Sequence, residues 1–364
     1  MTKINQPPAN AFYAPTLLPA IEELLARGVA REAIEAQFHR SLFDLRTPFM
    51  RIPLMLSRRF WAFAQAQTND PLFGLAAGRR FVSTATNGLT YLFDIAVSLE
   101  SACAYFVRFF PFFNGHFQAQ IVRENGEVQL RLIESGSLRA APATADYILI
   151  SLCSMLRRKL LASGLGRDPV LGVQLTAPGS EEHARAFRAP VQGSRQYLAI
   201  HLDPQLFIAP LTPGSQALEQ TLVELLEQTR RNSEATLLEQ LSDYLIEDLA
   251  TADWKQFCAD RHLLERTAAR RLKALGWRFS ELLDEYRRYR AEDLLRAGEL
   301  ELVHISDRLG YSDVQSFNRA CLRWLGCAPG VYRGRWLSVA SDEVSEPRAN
   351  LTARLPHWSP PPPA

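Results

Sequence analysis

A short segment near the C-terminus carries hydrogen-bonding side chains at the spacing of one helix face. These side chains are Gln315, Asn318, Arg319 and Arg323. An arginine can grip guanine O6 and N7 together, and a glutamine or asparagine can pair with adenine N6 and N7. A helix that presents such groups from its first two turns has the chemistry of a major-groove reader. A solvated polar face on an ordinary surface helix is the competing interpretation, and spacing alone leaves both open.

The residues around this segment predict a helix-turn-helix. The apolar face of a short first helix is formed by Leu302, Ile305 and Leu309. Gly310 ends that helix because glycine adopts a positive φ at little cost. Ser312 is the predicted N-cap of the next helix, with Asp313 in its first turn. The buried stripe of this second helix consists of Phe317, Ala320, Cys321 and Trp324. Pro329 closes the segment.

A similar unit is predicted upstream, in less clear form. Its first helix is marked by Trp254, Phe257 and Cys258. A turn follows near residues 261–264, and Gly276 ends the second helix. The buried stripe of that helix is formed by Ala268, Leu272 and Leu275. Its opposite face is basic and holds Arg266, Arg270 and Lys273. Such a face suits phosphates and guanines.

One long helix is predicted between the two units. Ser280 is its expected N-cap and Arg296 its approximate end. A rigid connection of this kind could hold the two candidate recognition helices one DNA turn apart, about 34 Å, so that both enter successive major grooves. From Asp253 to Arg335 there are 16 Lys and Arg residues against 12 Asp and Glu. The surplus of four is modest, so binding is expected to depend on placement more than on bulk charge.

These residues resemble the AraC/XylS family of transcription regulators. The second unit carries the resemblance through Ile305–Asp313, Ser316–Ala320, Arg323-Trp324, Gly326, Pro329 and Tyr332-Arg333. The first unit and its connecting helix carry it through Arg266-Thr267, Arg270–Lys273, Gly276, Phe279, Leu282-Leu283 and Arg290-Ala291. The resemblance implies base-contact positions at Arg266, Ala269 and Arg270, and at Val314, Gln315 and Arg319. Together with the polar faces above, Lys273, Ser316, Asn318 and Arg323 complete the predicted DNA-binding set.

The first unit departs from the family pattern at four positions, one of which is Ala268 in place of a larger core residue. Members usually have Gly at the position of His262, Ser or Thr at Leu264, and a polar residue at Ala269. The turn glycine and the N-cap are therefore both missing. We expect this unit to discriminate DNA sequences weakly, or to contact a thymine methyl group through Ala269.

The N-terminal part predicts an α+β domain. Residues 116–123 and 127–134 alternate polar and apolar side chains around a Glu-Asn-Gly turn, which indicates a β-hairpin. Helices are predicted over residues 16–28, 52–68, 88–97, 100–112 and 144–163, and strands over 170–176 and 197–202. The layout is similar to the arabinose-binding-like domain of one branch of the family. The resemblance implies that this domain binds a small effector, mediates dimerisation, or both.

The candidate effector contacts are two phenylalanines from a Phe-rich segment and one neighbouring arginine. They are Arg108, Phe109 and Phe113. Packing of the phenylalanines into the core and a solvated arginine are the competing interpretation. The leucines at 218, 222, 225 and 226 could likewise form a dimer seam or pack against their own domain.

The domain boundaries follow from composition. We expect a disordered segment over residues 1–10, an α+β sensor and dimerisation domain over 11–210, a linker with a possible dimer helix over 211–233, an all-α DNA-binding domain with two helix-turn-helix units over 234–336, and a Pro-rich disordered tail over 337–364.

Several other functions lack a sequence signal. The five cysteines form no C-x-x-C pair, which predicts no metal site and suits a reducing cytoplasm. Cys258 and Cys321 lie on apolar helix faces and are expected to be buried. The longest apolar run, Tyr147–Leu156, is too short to span a membrane. No catalytic motif and no cofactor motif is present.

The sequence therefore predicts a cytoplasmic, non-enzymatic transcription regulator. Its expected partners are double-stranded DNA, a small-molecule effector and a second copy of the chain, and the family resemblance also implies RNA polymerase. The alternative is a small-molecule-binding or protein-interaction module with weakened DNA readout, which the incomplete first unit motivates.

Overall fold

The structure is a computed structural model, and it describes residues 11–342 apart from 49, 82–85, 87, 125, 135–137, 177–178, 195, 212–213 and 233–234. The predicted disordered segment over residues 1–10 and the part of the predicted tail from 343 onward lie outside these ranges. The chain divides into two compact units, Met1–Ala235 and Thr236–Ala364.

A five-stranded sheet forms one layer of the N-terminal unit. Its strands are β3 (Phe117–Glu124), β4 (Glu127–Glu134), β5 (Val170–Leu175), β6 (Val191–Gly193) and β7 (Leu198–Leu202). The order is β3-β4-β7-β5-β6, antiparallel except for the β5–β6 pair. The predicted hairpin is confirmed, with Phe117 opposite Glu134 and Glu124 opposite Glu127. A separate antiparallel pair joins β1 (Ala11–Tyr13) to β2 (Arg51–Pro53).

The helices of the N-terminal unit precede, connect and follow its strands. They are α1 (Leu18–Ala26), α2 (Arg31–Phe38), α3 (Leu42–Leu45), α4 (Leu54–Thr68), α5 (Phe73–Arg79), α6 (Leu89–Ile95), α7 (Leu99–Phe113), α8 (Pro142–Ala162), α9 (Glu181–Phe187), α10 (Pro204–Ile208) and α11 (Gln216–Asn232). The apolar run in α8 is buried, as predicted, and α8 packs against α5 and against β5 and β7. Two glycines of α5 permit this approach, since a Cβ on Gly74 would lie 2.2 Å from the Ala143 carbonyl oxygen and one on Gly78 would lie 2.1 Å from Ile150 Cγ2.

The sequence predictions for this unit were partly correct. The α+β class and helices α4, α6, α7 and α8 are confirmed to within two residues at most ends. The prediction of a helix over residues 16–28 is confirmed by α1, in which Leu24 is buried and Leu25 is exposed. The short elements α2, α3, α5, α9, α10, β1, β2 and β6 went unpredicted.

The C-terminal unit is helical throughout its described residues. Its helices are α12 (Leu237–Glu247), α13 (Trp254–Asp260), α14 (Glu265–Ala274), α15 (Phe279–Ala297), α16 (Leu302–Arg308), α17 (Val314–Leu325) and α18 (Pro329–Asp342). Two helix-turn-helix units, α13–α14 and α16–α17, are joined by α15, as predicted.

Four boundary predictions in this unit need correction. Ser280 lies inside α15, whose N-cap is Arg278. Ser312 precedes the N-cap of α17, which is Asp313. Pro329 begins α18 and does not close a segment. Proline is tolerated there because the first residue of a helix donates no hydrogen bond within the helix. Because α18 continues to Asp342, the predicted start of the tail at Leu337 falls within a helix.

Candidate DNA-binding site

The second helix-turn-helix unit is built on a buried apolar core. Ile305 of α16, Leu309 at the C-cap of α16, and Phe317 and Cys321 of α17 are all fully buried, and α16 packs against α17. Gly310 turns the chain with φ +73°, and a Cβ there would lie 2.6 Å from the Ala250 carbonyl oxygen. The turn therefore requires glycine both for its backbone conformation and for the close approach of the chain beyond α12.

The N-terminus of α17 is held by a chain of hydrogen bonds. The Asp313 carboxylate accepts from the Ser316 backbone N–H at 2.7 Å and from the Ser316 hydroxyl at 2.9 Å. These bonds lower the pKa of Asp313, the backbone one most. The Ser316 hydroxyl in turn accepts from Arg319 Nη2 at 2.7 Å. The cap thus orients the guanidinium of the candidate base reader.

The polar face of α17 is not uniformly accessible. Gln315, Arg319 and Arg323 are exposed, whereas Val314, Ser316 and Asn318 are half-buried. The Asn318 Oδ1 atom is buried without a hydrogen-bond partner in the described part of the chain. Of the residues predicted on this helix, Gln315 and Arg319 are the two that combine exposure with a position in the first two turns.

Arg323 points to a different partner. Its Nη2 atom lies 2.6 Å from Asp284 Oδ1 on α15, and Trp324 Nε1 donates to the other carboxylate oxygen at 2.9 Å. The ion pair is largely exposed, with side-chain exposures of 62% and 42%, so it adds little stability by itself. Its consequence is geometric, since one carboxylate fixes two consecutive residues of α17 to the connecting helix.

The first unit is supported by aromatic packing. Trp254 stacks on Phe257 with 5.7 Å between ring centroids and lies 5.6 Å from Phe279 of α15. Tyr244 of α12 completes the cluster at 5.4 Å from Phe257. The Arg261 guanidinium sits 4.4 Å from the centroid of the Phe257 ring. These contacts hold α13 in place beside α12 and α15.

The turn of the first unit is strained. His262 adopts the left-handed conformation with φ +54°, at the position where related chains usually carry glycine. Leu264 is the N-cap of α14, makes no side-chain hydrogen bond to the helix, and is 78% exposed. Both departures that the sequence indicated are therefore present in the structure, and the start of α14 lacks a polar cap.

The outer face of α14 is basic and accessible. Arg266, Ala269, Arg270 and Lys273 are all exposed, while Ala268 and Leu272 are buried. The three cations make no hydrogen bond or ion pair with any residue that the structure describes. They are free to contact phosphate or base edges, but nothing in the unit fixes their orientation.

The candidate effector residues separate in the structure. Phe109 and Phe113 are buried in α7, and Phe113 lines an apolar cavity. Arg108 is exposed, lies over the Phe109 ring at 5.0 Å and pairs with Glu227 of α11 at 2.8 Å. This ion pair gives Arg108 a structural partner outside the cavity.

Other kinds of site find little support within the described ranges. All five cysteines are free and buried, and burial raises the pKa values of Cys103, Cys153 and Cys321 to about 12. Among the described residues no cluster of His, Cys, Asp and Glu is suited to a metal ion. None of the helices there combines the length and apolar character needed to cross a bilayer.

Comparison with known families accounts for both units of the chain. The model described as the arabinose-binding domain of AraC transcription regulators matches residues 28–211, just over half of the chain, and a helix-turn-helix model matches residues 257–335. The chain belongs to the AraC family of transcription regulators. Its C-terminal unit is the family's DNA-binding domain and its N-terminal unit the family's arabinose-binding-like domain.

Two relatives found by sequence similarity agree with this assignment. The Ornithine utilization regulator of Pseudomonas aeruginosa is 24% identical over 327 residues, covering 88% of this chain and 95% of its own. The regulator VirS of Mycobacterium tuberculosis is 29% identical over 178 residues, covering 48% of this chain and 52% of its own. Both are named as regulators and neither as an enzyme. The crystal structure of CdpR from Pseudomonas aeruginosa is 20% identical and covers 88% of this chain and 98% of its own, with a TM-score of 0.43.

One residue that positions the site was not predicted. Asp284 fixes Arg323 and Trp324 from 39 and 40 residues away. Its only sequence signal is a carboxylate on the connecting helix, which does not identify a partner so distant along the chain.

Proposed function

We propose that this AraC-family regulator recognises two successive major grooves and that its second helix-turn-helix unit supplies most of the sequence discrimination. The observation that carries the proposal is the hydrogen-bonded chain Asp313–Ser316–Arg319, which orients an exposed arginine before DNA arrives. Gln315 lies beside it, exposed in the first turn of the same helix. A pre-oriented arginine loses less conformational freedom on binding a guanine than a free one does.

The first unit is proposed to contribute affinity and register. Its exposed cations suit phosphate contacts, which carry no sequence information. Ala269 is the one small apolar residue among them and can contact a thymine methyl group. The intervening helix α15 would set the spacing at about one DNA turn.

Loss of specific binding tests the proposal. The double variant Gln315→Ala/Arg319→Ala should lose specific affinity in gel shifts while its thermal unfolding stays unchanged. Sequences for the assay come from selection of random duplexes by the intact chain. Normal binding by the double variant would refute the assignment of the recognition helix. A wild-type ratio of specific to non-specific affinity near one would favour the alternative of a module without DNA readout.

We propose a homodimer that contacts RNA polymerase as an activator in the cytoplasm and responds to an effector bound by the N-terminal domain. α11 supports the dimer, because Leu226 packs inward while Leu218 and Leu225, two turns apart, are 46% and 42% exposed. The contact with RNA polymerase and the activator role follow from family resemblance.

Leu218→Glu/Leu225→Glu should shift the sedimenting species from dimer to monomer, and transcription in vitro from a selected site should rise when the chain is added. A monomeric wild-type chain would refute the dimer, and unchanged transcription the activator role.

A further inference from the structure

An apolar cavity lies inside the N-terminal unit, between α6, α7 and α8, with a volume of about 60 Å³. We infer that it binds a small, uncharged, largely apolar molecule with one hydrogen-bond acceptor. The inference rests on the proposed function, in which this domain takes an effector, and adds the chemical class of that effector. This ligand class differs from the sugar that the name of the arabinose-binding domain suggests, since a sugar presents several hydroxyl groups.

The walls of the cavity exclude charge. Phe106 and Phe110, which stack with 4.4 Å between ring centroids, form one wall of the cavity, and Leu89 and Leu152 line other walls. None of the described residues that line the cavity is charged. A carboxylate or an ammonium group would be desolvated there without a counter-ion, and most hydroxyls of a sugar would lack partners. An apolar body is therefore the favoured occupant.

Most polar groups on the walls are already occupied. The Tyr147 hydroxyl donates to the Thr16 carbonyl oxygen at 2.5 Å, and the Ser151 hydroxyl donates to the Tyr147 carbonyl oxygen at 2.6 Å. The hydroxyls of Thr86 and Thr90 are hydrogen-bonded to each other. These bonds keep the polar groups turned towards protein atoms.

Asn114 is the exception that gives the cavity its polarity. It is 3% exposed and lines the cavity, and its Oδ1 atom accepts from the His116 backbone N–H at 2.9 Å. Its amide nitrogen has no hydrogen-bond acceptor among the described residues. Burial lowers the pKa of His116 to about 3, so the neighbouring imidazole is neutral. The Asn114 amide nitrogen can therefore donate to a carbonyl or ether oxygen of a ligand.

The size of the cavity limits the ligand. A cavity of about 150 Å³ accommodates benzene, so this one, at about 60 Å³, suits a smaller ligand of about four heavy atoms. Met155 lines the cavity, and its unbranched thioether side chain has three rotatable bonds with which to move aside. Acetone is accordingly a suitable probe, and 2-methylpropene is its matched analogue because it has the same shape without the acceptor oxygen.

Titration of the full chain with both probes, followed by saturation-transfer NMR, tests the inference. Both should bind, and the ketone about fivefold more tightly because it gains one hydrogen bond. In Asn114→Ala this preference should fall below about twofold, a change in ratio that a merely structural role of Asn114 would not produce. L-arabinose and L-ornithine should show no saturable binding at the same concentrations.

A matched pair of variants locates the binding. Leu152→Phe fills the cavity and should weaken both probes by at least about tenfold. Leu161→Phe makes the same change at a 73% exposed position of α8 and should leave binding unchanged. Met155→Phe replaces the filling variant if thermal unfolding shows that Leu152→Phe does not fold.

Three results would overturn the inference. They are no saturable binding of either probe, binding that persists in the filled variant, and equal affinity of ketone and hydrocarbon in the wild-type chain. Gel shifts of the same protein samples report DNA binding separately. Failure of the probes with intact DNA binding would therefore refute the ligand class and leave the proposed DNA readout standing.

Discussion

The two helix-turn-helix units share an architecture and differ in how the side chains proposed to contact DNA are held. In the second unit a polar cap orients Arg319, and Asp284 fixes the far end of α17 to the connecting helix. In the first unit the helix begins at an exposed leucine after a left-handed histidine, and its cations have no partners among the described residues. The two units therefore show that a helix can be firmly positioned while the side chains on its exposed face are not.

The largest expected effect separates the units by specificity. Arg319→Ala should lower affinity for the selected sequence by about 1–3 kcal/mol, or about 5- to 150-fold, and relax the base preference at one position. Gel shifts with the selected duplex and with single-base variants measure both quantities. The matched variant Arg270→Ala should weaken selected and unrelated duplexes alike, and a position-specific relaxation there would contradict the comparison.

A smaller effect should appear in the salt dependence. Lys273→Ala is expected to reduce the slope of the logarithm of affinity against the logarithm of salt concentration by about 1, because one phosphate contact is lost. Lys255→Ala, an exposed lysine on α13 outside the recognition helix, serves as the control. Equal slopes for the wild-type chain and the Lys273 variant would place α14 away from the DNA backbone.

The turn of the first unit predicts a gain in stability. His262→Gly should raise the free energy of unfolding by about 1 kcal/mol, since glycine adopts φ near +54° without the Cβ conflict. Leu264→Ser should add a further gain of about 1 kcal/mol by capping α14. Denaturant unfolding measures both changes, and a loss of stability in either variant would show that His262 and Leu264 make stabilising contacts that the substitutions remove.

The cap of the second unit predicts a pH dependence. Because hydrogen bonds lower the native pKa of Asp313, its stabilising contribution is present above the pKa of the unfolded chain and is lost as the pH falls through the native value. Asp313→Asn keeps a good capping residue without the carboxylate, so it should resemble the wild-type chain at neutral pH and lack this acid-dependent loss. Parallel curves of unfolding free energy against pH for the two chains would show that the Asp313 carboxylate makes no pH-dependent contribution to stability.

Much of this contrast was visible in the sequence, because local patterns determine it. Gly310 and Gly276 marked helix ends, and the missing glycine and cap of the first unit were evident at His262 and Leu264. The tie through Asp284 was not visible, since nothing local links it to residues 39 and 40 positions away. The short elements around the sheet also escaped, because a three-residue strand such as β6 has too few residues for an alternating pattern.

The N-terminal cavity shows a further limit of sequence reasoning. The cluster of phenylalanines on α7 suggested an aromatic pocket, and Phe113 does line a cavity. Arg108 was grouped with it by proximity along the chain, yet the helix directs it to Glu227 on α11. Asn114, the cavity residue with an unused donor, carried no signal because it is a single polar residue at a helix end.

Selection of random duplexes by the wild-type chain, Gln315→Ala/Arg319→Ala and Arg266→Ala/Arg270→Ala tests the central claim most directly. The wild-type motif should contain two half-sites about one helical turn apart, one of them markedly more informative. The substitutions in α17 should erase the informative half-site, and those in α14 should lower recovery with little change in the motif. Erasure of the more informative half-site by the α14 substitutions would contradict the account.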